Sequence, residues 1–189
     1  MEIQPRPYRH PHVSRLVDRL QAEYVEIYGS PDNSPTDPGQ FSPPRGSFAV
    51  GYVDGEPVAM GGWRLREDGR AELKRMYVTD EHRGQGHSRT VLAWLEGSAA
   101  EAGASAMVLE TNQRHPAAIG LYRSCGYTET PAFGHYADDP LTVCLGRPLP
   151  PRRVRPAGPP APPGGRRPRG LPAPPRGCRA PRDPRRRGA

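Results

Sequence analysis

The stretch His82-Arg83-Gly84-Gln85-Gly86-His87-Ser88 joins a segment with strand-like alternation to one with helical spacing, and its residue types suit an anion. Two glycines let the backbone turn with its amides facing inward. The start of the following helix adds roughly half a positive charge, and Arg83 adds a whole one. Such a bend can hold a pyrophosphate. The same residues also make an ordinary strand-to-helix turn, and neither the GxxxxGK of a nucleotide loop nor the GxGxxG of a dinucleotide fold is present. Other chemistry is sparse. Cys125, Cys144 and Cys178 have no CxxC or Cys/His ligand spacing, and the six histidines include no HExxH, so neither a disulfide framework nor a metal site is expected. Cys125 reads as a small core residue because no partnering histidine is indicated. His82 and His87 flank the bend, and His135-Tyr136 reads as a hairpin pair or as part of an acceptor pocket.

Several elements must position this bend. Val13, Leu16, Val17, Leu20, Tyr24 and Ile27 recur at helical spacing between Pro11 and Tyr28, and Gly29 ends the run. Residues 3–5 read as a short edge strand. A long Pro/Asp/Ser loop covers 30–46, a length that in compact domains is often functional. Strands are expected over 47–53, 56–66 and 71–79, joined by hairpins at Asp54-Gly55 and Asp68-Gly69. A helix over 87–102 follows, with Val91, Leu92, Leu95 and Ala99 on its apolar face, then a buried strand over 106–110. Strand, helix and strand in that order make a βαβ unit, which after an antiparallel meander implies a parallel-like adjacency or a crossover in the sheet. Pro116 opens a last helix to Cys125, Gly126 caps it, and closing strands are expected over 127–130 and 141–145.

Charge divides the chain. Of 189 residues, the last 40 hold 12 arginines, 13 prolines and one acid, a net +11, whereas residues 1–149 carry net −4. The folded part is therefore not a basic nucleic-acid binder. The segment 150–189 has no aromatic residue and too little apolar surface to offset its ordering entropy, so a disordered tail is expected. It reads as a solvated extension, as an out-of-frame translation of GC-rich sequence, or as an arginine tail for nucleic acid or another acidic partner. No apolar run reaches the roughly 18 residues of a membrane span, and the N-terminus lacks the apolar core of a signal peptide. A cytoplasmic setting follows as the expectation.

Three blocks in order resemble the GNAT superfamily of N-acetyltransferases over about residues 2–149. Leu73-Lys74-Arg75-Met76-Tyr77-Val78 is similar to its fourth strand, and Arg83-Gly84-Gln85-Gly86-His87-Ser88 to its (Arg/Gln)-x-x-Gly-x-(Gly/Ala) pyrophosphate loop. Pro116-Ala117-Ala118-Ile119-Gly120-Leu121-Tyr122-Arg123-Ser124-Cys125-Gly126-Tyr127 resembles its helix ending in Tyr-x-x-x-Gly-(Tyr/Phe). Ser88 departs from the family's Gly or Ala but is small enough to keep the backbone approach. The resemblance implies an α/β GNAT fold, a mixed and mostly antiparallel sheet flanked by helices, with acetyl-CoA as cosubstrate. It implies that amides from Arg83 to Ser88 hold the pyrophosphate, and that the backbone of Met76, Tyr77 and Val78 pairs with the pantetheine arm like an added strand. Asn112 reads as a contact to that arm or as a turn-former. The implied reaction is direct attack of an amine on the thioester. Glu72, expected on the same strand face as Met76 and Val78, is the candidate base, Tyr122 the candidate acid, and a backbone N–H near Met76 the oxyanion donor. The acceptor is expected to be a small primary amine or an amino acid, with loops 30–46 and 131–141 shaping its pocket. A non-catalytic acyl-CoA-binding module is the alternative, and a homodimer is left open.

Overall fold

The computed structural model describes residues 1–151. The expectations for the arginine tail, including disorder and nucleic-acid or acidic-partner binding, lie outside the described residues beyond that point. In chain order the elements are β1 (Glu2–Pro5), α1 (Pro11–Tyr28), β2 (Gly46–Val53), β3 (Glu56–Leu65), β4 (Ala71–Val78), α2 (His87–Glu101), β5 (Ala106–Asn112), α3 (Pro116–Ser124), β6 (Thr128–Glu129) and β7 (Thr142–Pro148). Short 3-10 turns at Pro38–Phe41 and Asp80–His82 interrupt two connections. The seven strands form one sheet in the order β1-β2-β3-β4-β5-β7-β6. Every neighbouring pair is antiparallel except β4 and β5. No helix among the described residues is long and apolar enough to cross a membrane.

Helices cover both faces. Val13, Leu16 and Leu20 of α1 pack on Phe48, Val50, Met60 and Tyr77. On the other face Val91, Leu92, Leu95 and Ala99 of α2, with Tyr122 of α3, pack on Ala59, Leu73, Met107, Leu109 and Leu145. Each fully buried Val or Leu in these layers contributes about 1.5–3 kcal/mol. The ends of α1 follow from its sequence. Pro11 occupies the first turn, and the His10 side chain accepts from the His12 N–H. Gly29, at φ 81°, donates its N–H to the Val25 carbonyl.

The central irregularity is in β4. Met60 lies opposite Tyr77, but Gly62 lies opposite Lys74, so Gly61 faces both Arg75 and Met76. This β-bulge holds Arg75 at φ 58°. A Cβ at Gly61 would come 2.8 Å from Leu95 Cδ1 and 3.4 Å from Met76 Cγ, so a side chain there would have to displace the buried Leu95 side chain. An inserted residue reverses the side-chain alternation beyond it. Leu73, Met76 and Val78 consequently belong to the α2 face, and Tyr77 to the α1 face. Glu72 is not on the face of Met76 and Val78, as regular pleating predicts. The extra residue lies between them and puts Glu72 on the opposite side, level with Val108, its partner on β5.

Beyond Glu72, ahead of the bulge, β4 and β5 part. They pair only at Ala71↔Met107 and Glu72↔Val108, and β5 turns to β7 along its whole length from Ala106 to Asn112. The strand expected to stop at 110 runs on to Asn112 because β7, which reaches Pro148 and not 145, continues to pair with it. β6 is shorter than expected, only Thr128–Glu129.

Candidate active site

The parting of β4 and β5 leaves a cavity of about 360 Å³ that passes through the sheet, with lining side chains from both of its faces. Leu73, Met76, Leu109, Ala118 and Tyr122 line it from the α2 face. Tyr24, Lys74, Arg75 and Glu110 line it from the other. Asp32 from the long loop after α1 and Tyr136 from the loop before β7 close one side, and Asn112, Arg114 and His115 form the rim toward α3. Both loops expected to shape an acceptor pocket thus contribute to it. They are tied together by the Tyr136 hydroxyl, which donates to Asp32 Oδ1 at 2.8 Å and accepts from the Asn33 N–H at 3.1 Å.

The bend that follows β4 leaves a run of backbone donors free. Gly84 and Gly86 sit at φ 75° and 81° with nothing near a would-be Cβ, so backbone conformation and not packing requires glycine. Arg89 and Thr90 donate to the Gly86 carbonyl. The N–H groups of Gly84, Gln85, Gly86, His87 and Ser88 have no acceptor among the described residues. His87 Nε2 is buried without a partner. These orphan donors at the positive end of α2 fit a diphosphate.

Arg83 is placed differently from expectation. Its guanidinium turns back, donates from Nε to the Val78 carbonyl at 3.1 Å and pairs with Glu23 and with Asp80. Burial alone would lower its pKa, but Glu23 and Asp80 raise it, so it stays charged while its field is largely neutralised. The Thr79 N–H bonds the Val58 carbonyl on β3. Alternation along the strand then points the N–H and C=O of Val78 and Met76 away from β3, toward the open slot. Arg83 covers one of these groups, the Val78 carbonyl. Tyr77 offers the slot nothing: the same alternation turns its N–H and C=O toward Met60 on β3, and the residue is 6% exposed within the α1 core, which corrects its expected contact with the pantetheine arm.

Tyr122 lies beneath the slot on α3, its hydroxyl 4.0 Å from Met76 Sδ. Burial pushes its phenol well above the ordinary value, so it keeps its proton. Asn112 is the last residue of β5. Its Oδ1 accepts from the Arg114 N–H at 3.0 Å, a local turn contact, while the residue also lines the cavity.

Glu72 does not line the cavity. Its side chain is 2% exposed, with Oε2 at 2.9 Å from Arg64 Nε and 3.7 Å from Arg66 Nη1, and Oε1 at 3.0 Å from Lys74 Nζ. Burial favours the neutral acid, but the Arg64 hydrogen bond and the charges of Lys74 and Arg64 outweigh it and hold the carboxyl below its usual range. A carboxylate so paired is a weak proton acceptor. His115, which the sequence reading passes over, lines the cavity instead. Burial lowers its pKa more than Glu23, 3.8 Å from Nε2, raises it, so the ring is neutral near pH 7. Its one sequence signal is its position just before the proline that opens α3.

Comparison with known proteins decides the family. Residues 13–127 match the family model described as acetyltransferase (GNAT) family. The chain belongs to the GNAT family. It is 33% identical over 138 residues to the IAA acetyltransferase of Azospirillum brasilense, covering 72% of this chain and 90% of that one. Among solved structures it is similar to a Klebsiella pneumoniae protein described as an acyl-CoA N-acyltransferase, at 32% identity and TM-score 0.67 over 78% of this chain and 97% of that one. An aminoglycoside 6'-N-acetyltransferase crystallised with coenzyme A shares the fold at 18% identity and TM-score 0.61, over 80% and 99% of the two chains. This GNAT enzyme transfers an acetyl group from acetyl-CoA to an amine. The orphan amides of the bend and the open edge of β4 fit that donor.

Proposed function

We propose that this enzyme acetylates the amine of a small molecule or an amino acid within the β4/β5 cavity. Support comes from a single arrangement: one continuous cavity joins the Met76–Tyr122 pair to tyrosines and charged side chains supplied by two loops. A pocket of about 360 Å³ suits an acceptor of that size. In this reading the cytoplasm is the setting, in keeping with the few cysteines.

Acetyl-CoA supplies the activated thioester. The amides of Gly84 to Ser88 hold its diphosphate, and the outward-facing backbone of Met76 and Val78 aligns its arm once Arg83 releases the Val78 carbonyl. An amine is cationic at neutral pH and must lose a proton before it attacks. The neutral His115 ring takes this proton, directly or through water. The bulge turns the backbone at Arg75 and Met76 toward the slot, where an N–H stabilises developing negative charge. Tyr122, kept protonated by burial, donates a proton to the departing thiolate. Glu72 keeps its place as the structural counter-ion of Arg64 and Lys74.

An acetyl-CoA turnover screen against a panel of amines, read as released thiol, tests the reading. With an accepted amine, Tyr122→Phe should lower kcat by roughly 10²-fold while calorimetry shows unchanged coenzyme A affinity. Undiminished kcat in that variant removes Tyr122 as the acid.

A further inference from the structure

We infer that the acceptor amine carries a carboxylate and that Arg75 reads it, an inference that rests on the cavity being the acceptor site. The observation is a buried guanidinium whose charge Asp32 matches but whose hydrogen-bond donors are not all taken. Arg75 is at φ 58°, a conformation that costs a non-glycine residue about 1–2 kcal/mol. The bulge directs its side chain into the cavity lining, where the side chain is 5% exposed. Yet Nε and Nη1 have no hydrogen-bond partner among the described residues. Nη2 donates to Thr36 Oγ1 at 3.3 Å, and Nη1 lies 3.1 Å from Asp32 Oδ2 without hydrogen-bond geometry. A buried charged donor left unpaired is costly. Backbone strain and two buried guanidinium nitrogens without a hydrogen-bond acceptor at the same residue, in a cavity wall, are the marks of a site awaiting an acceptor oxygen.

The surrounding charges agree. Asp32 matches the charge of Arg75 through Oδ2, 3.1 Å from Nη1, but makes no hydrogen bond to Nε or Nη1, and its Oδ1 already accepts from the Ser34 N–H and the Tyr136 hydroxyl. Lys74 is held between Glu72 at 3.0 Å and Glu110 at 3.3 Å. Asp139 Oδ1 accepts the Leu141 N–H. Arg114, on the cavity rim, has no carboxylate partner among the described residues. A ligand carboxylate supplies the acceptor that Nε–H and Nη1–H of Arg75 lack and gives Arg114 a counter-charge; an amine without a carboxylate supplies neither. Arg75 is therefore a specificity-determining residue for the acceptor, on the same bulge that shapes the acetyl site.

The test compares matched acceptors that differ only in the carboxylate: glycine, alanine, methionine, phenylalanine and aspartate, each against its α-carboxamide, at saturating acetyl-CoA. The amide's amine is the less basic of each pair, so intrinsic reactivity favours the amide, and a preference for the acid must come from the protein. For the best-accepted pair the acid should win in kcat/KM by about thirtyfold, chiefly through KM. Arg75→Gln should erase this preference without changing the KM for acetyl-CoA, and Arg75→Lys should keep part of it. Calorimetric titration of the coenzyme A complex with the N-acetyl acid and the N-acetyl amide should give the same order of affinity. Acid and amide within about threefold of each other in the wild type overturn the inference even where Arg75→Gln fails to fold, as does a preference that survives Arg75→Gln. Transfer only to amines without a carboxylate overturns the inference but leaves the acetyltransferase reading intact; transfer to no amine, in this set or in the wider panel, sinks both.

Discussion

Replacing Glu72 by Gln separates a structural carboxylate from a catalytic one. The substitution keeps the side chain's shape and removes its charge from among Arg64, Arg66 and Lys74. Removing one partner of a buried ion pair costs about 3–5 kcal/mol when the remaining charge has nowhere to go. Here both main partners keep other acceptors. Arg64 Nη1 still donates to the Pro35 carbonyl and Gln40 Oε1, and Lys74 still faces Glu110. The expected loss is therefore about 2–3 kcal/mol, or a melting temperature lower by roughly 5–10 °C for a domain of this size. The pH dependence has a definite sign. The Glu72 carboxyl is held below its ordinary value in the fold, so its contribution is complete above its unfolded pKa and fades as pH falls through the folded value. The gap between wild type and variant should be full at pH 7 and narrow below about pH 4.5. Thermal melts across that range, with thiol release assayed well below either transition, measure both properties. On this reasoning kcat stays within about fivefold of wild type, because Glu72 does not line the cavity. A variant that melts with wild type yet loses over about 100-fold in kcat would show Glu72 to be the base and refute the assignment.

Two further outcomes follow from the same geometry. His115→Gln should lower kcat by about 10²–10⁴-fold and abolish the acidic limb of the pH–rate profile. In wild type that limb should fall below the ordinary histidine value because burial favours the neutral ring, and an unchanged limb in the variant rules His115 out. Glu23→Gln frees Arg83 from its partner beside the diphosphate bend and should tighten coenzyme A binding by about fivefold, less at high salt. It also removes the charge that raises the His115 pKa, so the acidic limb should move to lower pH; calorimetry and the pH–rate profile read the two effects separately.

Local chemistry made much of this fold readable. Pro11 and Gly29 mark the ends of α1, Asp54-Gly55 takes positive φ at both hairpin positions, and Pro116 opens α3. Gly84 and Gly86, read as permitting an anion-holding bend, both adopt the left-handed conformation that leaves the following amides free. What was hidden depends on residues distant along the chain. Arg83 meets Glu23 sixty positions away, Tyr136 meets Asp32 more than a hundred away, and β5 extends to Asn112 only because β7 pairs with it. Periodicity within a segment carries no information about these partners.

The bulge is the most consequential of the hidden features, because a single residue sets both halves of the site. With regular pleating from Ala71 to Val78, Glu72 would share the face of Met76 and Val78, and Arg75 would lie on the α2 face under Leu95 and Val91. Insertion at Arg75 exchanges these places. Met76 is brought back to the α2 face within 4.0 Å of the Tyr122 hydroxyl, while Arg75 stays with Glu72 and Lys74 on the side of the acceptor loops. The β4–β5 ladder has already ended at Glu72, so the bulge faces the open slot. The strained conformation of Arg75 is thus not incidental to the open hydrogen-bond donors of its guanidinium. The backbone turn that returns Met76 to the α2 face is the one that delivers a cation to the acceptor, so donor alignment and acceptor choice are coupled through one residue's φ angle.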